Sequence, residues 1–352
     1  MKPSCSMPSL FVLLFSAFCV LLTFSSLRIA CVPCITQPKP DTDDFDPTLM
    51  QLAEVDIGAS IVRRDAEQLS QNKFSGAPVK YRSAALQTLR DWIDKNYFEP
   101  DIIAQLVNQI KTPIDRHNGN NNSNKLYSSC AVVGNSGILL NSNNGKLIDS
   151  HEFVIRINNA PTYPYVEHVG SKTSLSFINS NVLDQCTVYN QCYCRAYGEP
   201  VPMAMYICQP RHFIDYVVCK NSSGTLLFVT DPRFDMLCAR IVKYYSLKQF
   251  VEETGRNAEE WGDFHDRQMF HYSSGLQAVM LALGICRQVS LFGFGKQEGA
   301  HHHYHTRQKV ELDLHDYAAE YAFYDDLVNQ LEAVPFLNKV PGFSLPKFVV
   351  YY

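Results

Sequence analysis

Residues 130–180 read CAVVGNSGILLNSNNGKLIDSHEFVIRINNAPTYPYVEHVGSKTSLSFINS, and the fold turns on them. A short apolar run, Cys130 to Val133, meets a small polar turn, Gly134-Asn135-Ser136-Gly137. A second apolar run, Phe153 to Ile157, ends in Asn158-Asn159-Ala160-Pro161. Strand, glycine-bearing turn, connection and second strand outline a nucleotide-binding α/β unit. Glycines let the backbone approach a phosphate closely, and Asn and Ser side chains at strand ends can hydrogen-bond a base, ribose or phosphate. Taken alone, the same outline also fits ordinary hairpin or loop chemistry.

Working outward, Tyr272 to Cys286 reads YSSGLQAVMLALGIC. Ser273 and Ser274 can cap a helix whose buried stripe would be Leu276, Val279, Met280 and Leu283. Val289 to Phe292 reads as a strand, ending in Gly293-Phe294-Gly295. A helix start of Ser-Ser-Gly offers N–H groups and hydroxyls to an anion, although an ordinary capped core helix has the same pattern. Two histidine-bearing blocks come next, His301-His302-His303-Tyr304-His305 and His315-Asp316-Tyr317-Ala318-Ala319-Glu320. A metal site is the other use of such a run, but the only nearby carboxylates stand in what reads as a helix start.

In this order the four blocks resemble the sialylmotifs of the eukaryotic sialyltransferases, glycosyltransferase family 29. The plant sialyltransferase-like proteins are the nearest in character. Cys130, Val133 to Gly137, Arg156-x-Asn158, Ala160-Pro161 and Val169-Gly170-x-Lys172-Thr173 match the large motif. The Ser-x-Gly start, Cys286 and Gly-Phe-Gly end match the small motif. His303-Tyr304 matches the third, with the register open by one so that His302 stays an alternative. His315 and Glu320 match the very small motif, His-x4-Glu. The resemblance implies an α/β fold, a single Rossmann-like domain of the glycosyltransferase-A variant type. It implies a Cys130–Cys286 disulfide and a donor nucleotide held by Asn135, Ser136, Asn158, Ser273, Ser274 and Gly275. The reaction it implies is inverting, metal-independent transfer of a CMP-activated sugar acid to a glycan hydroxyl, with no cofactor. Two departures from vertebrate members stand out: Thr306 follows His-Tyr-His where many have an aromatic after the Tyr, and the segments between motifs differ. The donor therefore stays open between sialic acid, a Kdo-like keto-sugar acid, and galactose from a uridine donor. A non-catalytic glycan- or nucleotide-binding protein is the competing class, against which both histidines stand.

Sugar transfer needs a base for the acceptor hydroxyl and a partner for the departing phosphate, and imidazole can fill either role. Asp313 reads as the cap of a helix from Leu314 to Leu331, placing His315 in its first turn, where the dipole disfavours imidazolium. His315 is thus expected as base and His303 as phosphate stabiliser, with Tyr304 accessory. Glu320, five positions on and about 140° round such a helix, is expected to be structural.

The 352 residues, 46% hydrophobic with net charge −4, allow ample core and give no reason to expect nucleic acid. Met7 to Leu27 carries no charge and is long enough to span a bilayer. The expected organisation is a cytosolic tail (1–6), a transmembrane signal-anchor (7–27), a luminal stem (28–83) and a luminal catalytic domain (84–352), in a single-pass type II Golgi protein. Of twelve cysteines, eight lie from Cys130 onward, which suits oxidising conditions, as do the sequons at Asn121 and Asn221. Asp41-x-Asp43 and Asp44-x-Asp46 resemble metal-binding pairs but fall in the Pro-rich stem, so they read as solvated charge. Helices are expected at 84–96 and 100–110, packing on the domain's outside, and at 237–250; strands are expected at 203–207 and 225–229. Glu252 to Asp266 reads as polar and mobile.

Overall fold

Cys130–Val133 (β1) is buried at all four positions, as is Phe153–Ile157 (β2) beside it. Strands covered on both faces read as continuous apolar runs rather than alternations. Leu175–Asn179 (β3), Met203–Tyr206 (β4), Leu227–Val229 (β5), Gln288–Phe292 (β6) and Lys347–Tyr351 (β7) complete a sheet ordered β5-β4-β3-β2-β1-β6-β7. Every pairing is parallel. The order reverses at β1, which lies between β2 and β6. In open sheets of this kind, ligands bind beyond the carboxyl ends of the strands at the reversal. Here those ends are Gly134, Asn158 and Gly293. The computed structural model describes residues 45–54, 79–95, 97–120, 125–183, 197, 201–222, 224, 226–265, 271–308, 315–329 and 334–351. The expected membrane segment, Asp41, Asp43, Asp44, Asn121, Asp313 and Leu314 lie outside them. Among the described residues no helix is long and apolar enough to cross a membrane.

Ser274–Ile285 (α10 in chain order) is the central helix. The expected one-sided stripe is corrected, because all twelve residues are buried. A helix apolar on every side belongs inside a core. One face covers β1–β3, and the other receives Ile102–Leu106 (α3). Their contact is close: a Cβ on Gly284 would stand 2.8 Å from the Ile103 carbonyl oxygen. The 100–110 segment is therefore core, not an outer layer. It divides into α3, a π turn at Val107–Lys111 and Thr112–His117 (α4), where Thr112-Pro113 begins a new helix. The helix expected at 84–96 runs Val79–Ile93 (α2) and packs on Phe213–Ser222 (α7), with Trp92 and Phe213 ring centroids 5.8 Å apart.

The helix expected at 237–250 is longer, Pro232–Thr254 (α8), because Asp231 accepts the Arg233 N–H at 3.0 Å and Pro232 suits its first turn. Residues 252–265, expected to be mobile, are ordered. Asn257 and Glu260 form a capping box, and Trp261, 2% exposed, opens the short helix Trp261–Phe264 (α9). The Cys130–Cys286 disulfide, with Cα atoms 6.0 Å apart, ties the start of β1 to the end of α10. Asp46 caps Pro47–Ala53 (α1), accepting from Thr48 and Leu49 N–H, a structural use of one acidic stem residue. The remaining short helices are Gly145–Asp149 (α5), Val166–Val169 (α6) and Tyr317–Asn329 (α11).

Candidate active site

A cleft of about 800 Å³ opens over the carboxyl ends of β1, β2, β3 and β6. The loops after β1 and β6 meet at its floor. A Cβ on Gly134 would stand 2.5 Å from the Gly293 carbonyl oxygen, so only glycine allows that approach. Gly134 N–H donates to Phe292 O at 2.7 Å, and Ser136 Oγ donates to Gly295 O at 3.0 Å. Ser136 thus lines the cleft with its hydroxyl engaged in joining the two loops.

Asn158 ends β2 with φ of 58°, a left-handed conformation that Asn tolerates better than most residues. Its Oδ1 accepts from the backbone N–H and the Nδ2 of Asn179, each at 3.2 Å. Asn179 in turn donates to Ser274 Oγ at 3.4 Å, which lies 3.3 Å from Tyr206 Oη. Asn179 was not singled out in sequence, although an Asn closing a buried strand is the same signal that marks Asn158. The first helical turn at Ser274 and Gly275 faces the cleft, carrying N–H groups that the helix itself cannot satisfy.

The histidine run forms one wall. His301, His302 and His303 line the cleft, and the ring centroids of His302 and His303 lie 4.3 Å apart. Burial, reinforced by His302 and His305, pushes the His303 imidazole down to about 4. Tyr304 is buried behind the cleft wall: its N–H donates to Asn135 O at 2.8 Å and its hydroxyl to Pro161 O at 2.7 Å. It pegs the histidine loop to the large-motif loops. Both His302 and His303 line the cleft, so the register left open in sequence stays open.

His315 also lines the cleft, but not in a helix. Asp316, not Asp313, caps α11, accepting from Ala319 N–H at 3.1 Å, so His315 precedes the first turn and pairs with His271 in an isolated parallel bridge. The dipole argument for a neutral His315 is thereby replaced by a geometric one. Its Nδ1 lies 3.0 Å from the His271 carbonyl oxygen, which can only accept. In the neutral ring the hydrogen therefore sits on Nδ1 and the lone pair on Nε2, the tautomer a general base needs. His271 was missed in sequence. Burial first, and then neighbouring His315, push its own imidazole down to about 4.

Glu320, 2% exposed, accepts from the Ser273 N–H and the Ser273 hydroxyl, both at 2.6 Å. Ser273 Oγ also accepts from Leu276 N–H at 3.1 Å and so caps α10. Glu320 thus holds Ser273, the cap at the start of α10. Among the described residues no group of three His, Cys, Asp or Glu is arranged to hold a metal. Asn221 is exposed at the end of α7, far in sequence from these walls.

The family model described as Glycosyltransferase family 29 (sialyltransferase) matches residues 81–331. Sialyltransferase-like protein 3 of Oryza sativa subsp. indica is 48% identical, over 99% of this chain and 98% of that one. Beta-1,6-galactosyltransferase GALT29A of Arabidopsis thaliana is 54% identical, over 80% of this chain and 72% of that one. CMP-N-acetylneuraminate-beta-galactosamide-alpha-2,3-sialyltransferase 1 of Gallus gallus is 36% identical over 50% and 46%. Among solved structures, a mammalian sialyltransferase in complex with Gal-beta-1-3GalNAc-ortho-nitrophenol is similar over 82% of this chain and 93% of that one, at 20% identity and a TM-score of 0.42.

Proposed function

Because the chain belongs to glycosyltransferase family 29, the sialyltransferase family, we propose that it transfers a sugar with inversion from a nucleotide donor to a glycan hydroxyl, with His315 as base. The observation that carries this reading is the 3.0 Å bond from His315 Nδ1 to the His271 carbonyl, which puts the lone pair of the neutral ring on Nε2, in a residue that lines the cleft. The nucleotide lies against Asn135, Asn158, Ser273, Ser274 and Gly275. Nε2 takes the acceptor proton as the acceptor oxygen bonds to the anomeric carbon. The bond from that carbon to the phosphate oxygen breaks, and its electron pair leaves with the phosphate. His303 stabilises that phosphate, with His302 as the alternative from the same wall. No metal is used.

The donor is a CMP-activated sugar acid, sialic acid or a Kdo-like acid, in keeping with the family's CMP donors. The acceptor is a galactose-terminated or pectic glycan. One finding favours a second reading, galactosyl transfer from a uridine donor onto a cell-wall glycan: the 54% identity to a protein named as a beta-1,6-galactosyltransferase. A donor screen with CMP-sialic acid, CMP-Kdo and UDP-galactose over galactosylated and pectic acceptors separates the two. Nucleotide release with a CMP donor supports the first; release only with UDP-galactose supports the second. Binding without release from any donor refutes both.

For topology, residues 7–27 anchor the protein in the Golgi membrane with the bulk of the chain in the lumen. Protease added to intact Golgi vesicles should spare everything beyond about Arg28. Digestion of the catalytic region would overturn the assignment.

A further inference from the structure

Gln277 is an amide inside an apolar helix. It stands at the end of the first turn of α10, is 0% exposed, and its backbone N–H donates to Ser273 O at 3.4 Å. Its side-chain Nε2 donates to Asp235 Oδ1 on α8. Its Oε1 is also buried and receives no hydrogen bond from the protein. A buried amide oxygen without a donor is uncommon and needs a physical reason. A carboxylate has no hydrogen to give it, whereas a neutral carboxylic acid carries one O–H donor. Turning the amide over would set Oε1 against Asp235 Oδ1, a contact that needs the same proton.

We infer that Asp235 is held as the neutral acid and clasps Gln277 by two parallel hydrogen bonds, Nε2–H to Oδ1 and Oδ2–H to Oε1, so that α8 positions the first turn of α10. Both groups are planar and of matching shape, and the pair satisfies both ends of the amide. The surroundings favour the proton. The protein packed round Asp235, although it leaves the residue some surface, desolvates the carboxyl and pushes it up to about 7, against the downward pull of Thr230 and Gln277; Asp231 adds to the rise. The other ionisable groups packed there are Asp231 and Cys238 on α8, Tyr206 and Cys208 at the end of β4, and Tyr272 before α10. Desolvation holds both tyrosines and both thiols neutral. Asp231 is paired with Arg233 at 2.6 Å, and Glu320 on α11 is engaged by Ser273. The clasp is a third hold on the start of α10, beside Glu320 on Ser273 and Asn179 on Ser274. It opens as the acid ionises. Its effect on a nucleotide rests on the reading of Ser274 and Gly275 as part of the nucleotide site; the clasp itself does not. Asp235 and Gln277 are thus positioning residues.

The test compares the full-length protein in detergent with its Asp235→Asn and Gln277→Leu variants. Asn reproduces the neutral acid, with an amide N–H in place of the O–H, but cannot ionise. The infrared difference between wild type and Asp235→Asn should show a protonated carboxyl stretch at pH 6 that fades by pH 8. Because the acid is raised above its unfolded value, the folded chain holds the extra proton, and the stability the clasp gives is lost as pH rises through about 7. The melting temperature of Asp235→Asn should therefore gain several degrees on wild type between pH 5 and 8, a difference in which the histidines cancel. CMP and UDP are the nucleotide probes. For whichever binds, Asp235→Asn should stay within about twofold of wild type at pH 6 and bind more tightly than wild type at pH 8, while Gln277→Leu weakens binding about fivefold or more at pH 6. No carboxyl stretch at pH 6, a melting difference that does not change with pH, or equal loss of affinity in the two variants would overturn the clasp. A folded Gln277→Leu variant that binds as wild type does would overturn the positioning role. If neither CMP nor UDP binds the wild type, the nucleotide reading and the positioning role fall together, and the infrared and melting measurements still decide the clasp. If Gln277→Leu does not fold, the pH dependence of Asp235→Asn decides alone.

Discussion

Replacing Glu320 tests whether the carboxylate holds the nucleotide side of the cleft in place. It accepts two hydrogen bonds from Ser273, each at 2.6 Å, in a site 2% exposed. Hydrogen bonds to a charged group contribute about 1.5–3 kcal/mol each, and a buried N–H left without a partner costs about 1–3 kcal/mol. Removing a buried carboxylate also relieves its desolvation, which offsets part of that loss. Glu320→Ala should therefore destabilise the protein by about 3–5 kcal/mol. Glu320→Gln keeps an oxygen for the Ser273 N–H and an amide that can face the hydroxyl, so it should cost only about 1–2 kcal/mol. At roughly 2 °C per kcal/mol for a domain of this size, Tm should fall by about 6–10 °C in the Ala variant. Because Ser273 begins α10, nucleotide affinity should fall with it, and Gln should restore most of both. Differential scanning calorimetry with nucleotide titration measures the two effects. An Ala variant melting within 2 °C of wild type with unchanged nucleotide affinity would refute the reasoning.

His315→Ala should lower turnover by about a hundredfold or more, the usual worth of a general base, while nucleotide affinity barely moves; a chelator should leave the wild type unaffected. Activity lost on chelation and restored by manganese would instead favour a metal-assisted mechanism. His303 is held neutral in the free protein, with its imidazole pushed down to about 4, so a bound phosphate should draw a proton onto it. Nucleotide affinity should then rise as pH falls from 7 towards 5, with proton uptake visible as a buffer-dependent binding enthalpy, and His303→Gln should flatten the profile. The same depression means that between the ordinary imidazole range near 6.5 and about 4 the unfolded chain binds more protons than the folded one. These histidines therefore contribute stability above that window that is lost as pH falls through it, and His271→Asn should reduce the slope in acid-unfolding curves. Ser246 Oγ donates to Asp316 at 2.6 Å and accepts from Trp261 Nε1 at 2.9 Å, so Ser246→Ala should loosen the cap beside His315 and lower kcat more than it changes the KM for donor.

The parallel sheet was legible because β1 and β2 are short, buried apolar runs bounded by polar turns, and the capping serines of α10 announced its start. Three features were not. A helix buried on every side has no stripe to display, so the environment of α10 could not be read from spacing. The order at Asn257–Phe264 comes from a capping box and one buried Trp within a polar segment, where composition points the other way. The start of α11 was misplaced because Asp313 and Asp316 are both good caps in sequence; the Asp316 cap and the bridge to His271 put His315 before the helix. His271 was invisible for a related reason, because it acts through a neighbour that folding brings to it, whereas Asn179, an Asn closing a buried strand, carries the same signal as Asn158.

The same bridge gives a physical reason for the His-x4-Glu spacing, for which helix geometry alone offers none. His315 Nδ1 bonds the His271 carbonyl, and Glu320 bonds the Ser273 N–H and hydroxyl. The two ends of the motif therefore grip two points of one short segment, His271-Tyr272-Ser273. That segment runs directly into the first turn of α10, which faces the cleft. Between the two grips lies Asp316, whose cap sets where α11 begins and hence how far Glu320 stands from His315. One residue more or fewer would turn Glu320 by about 100° and carry its carboxylate away from Ser273. The spacing is thus set by the distance between the His271 carbonyl and the Ser273 cap rather than by cooperation between the two side chains. In the proposed mechanism it also joins the acceptor chemistry to the donor site, since a shift of α10 on nucleotide binding would move the carbonyl that holds the tautomer of His315.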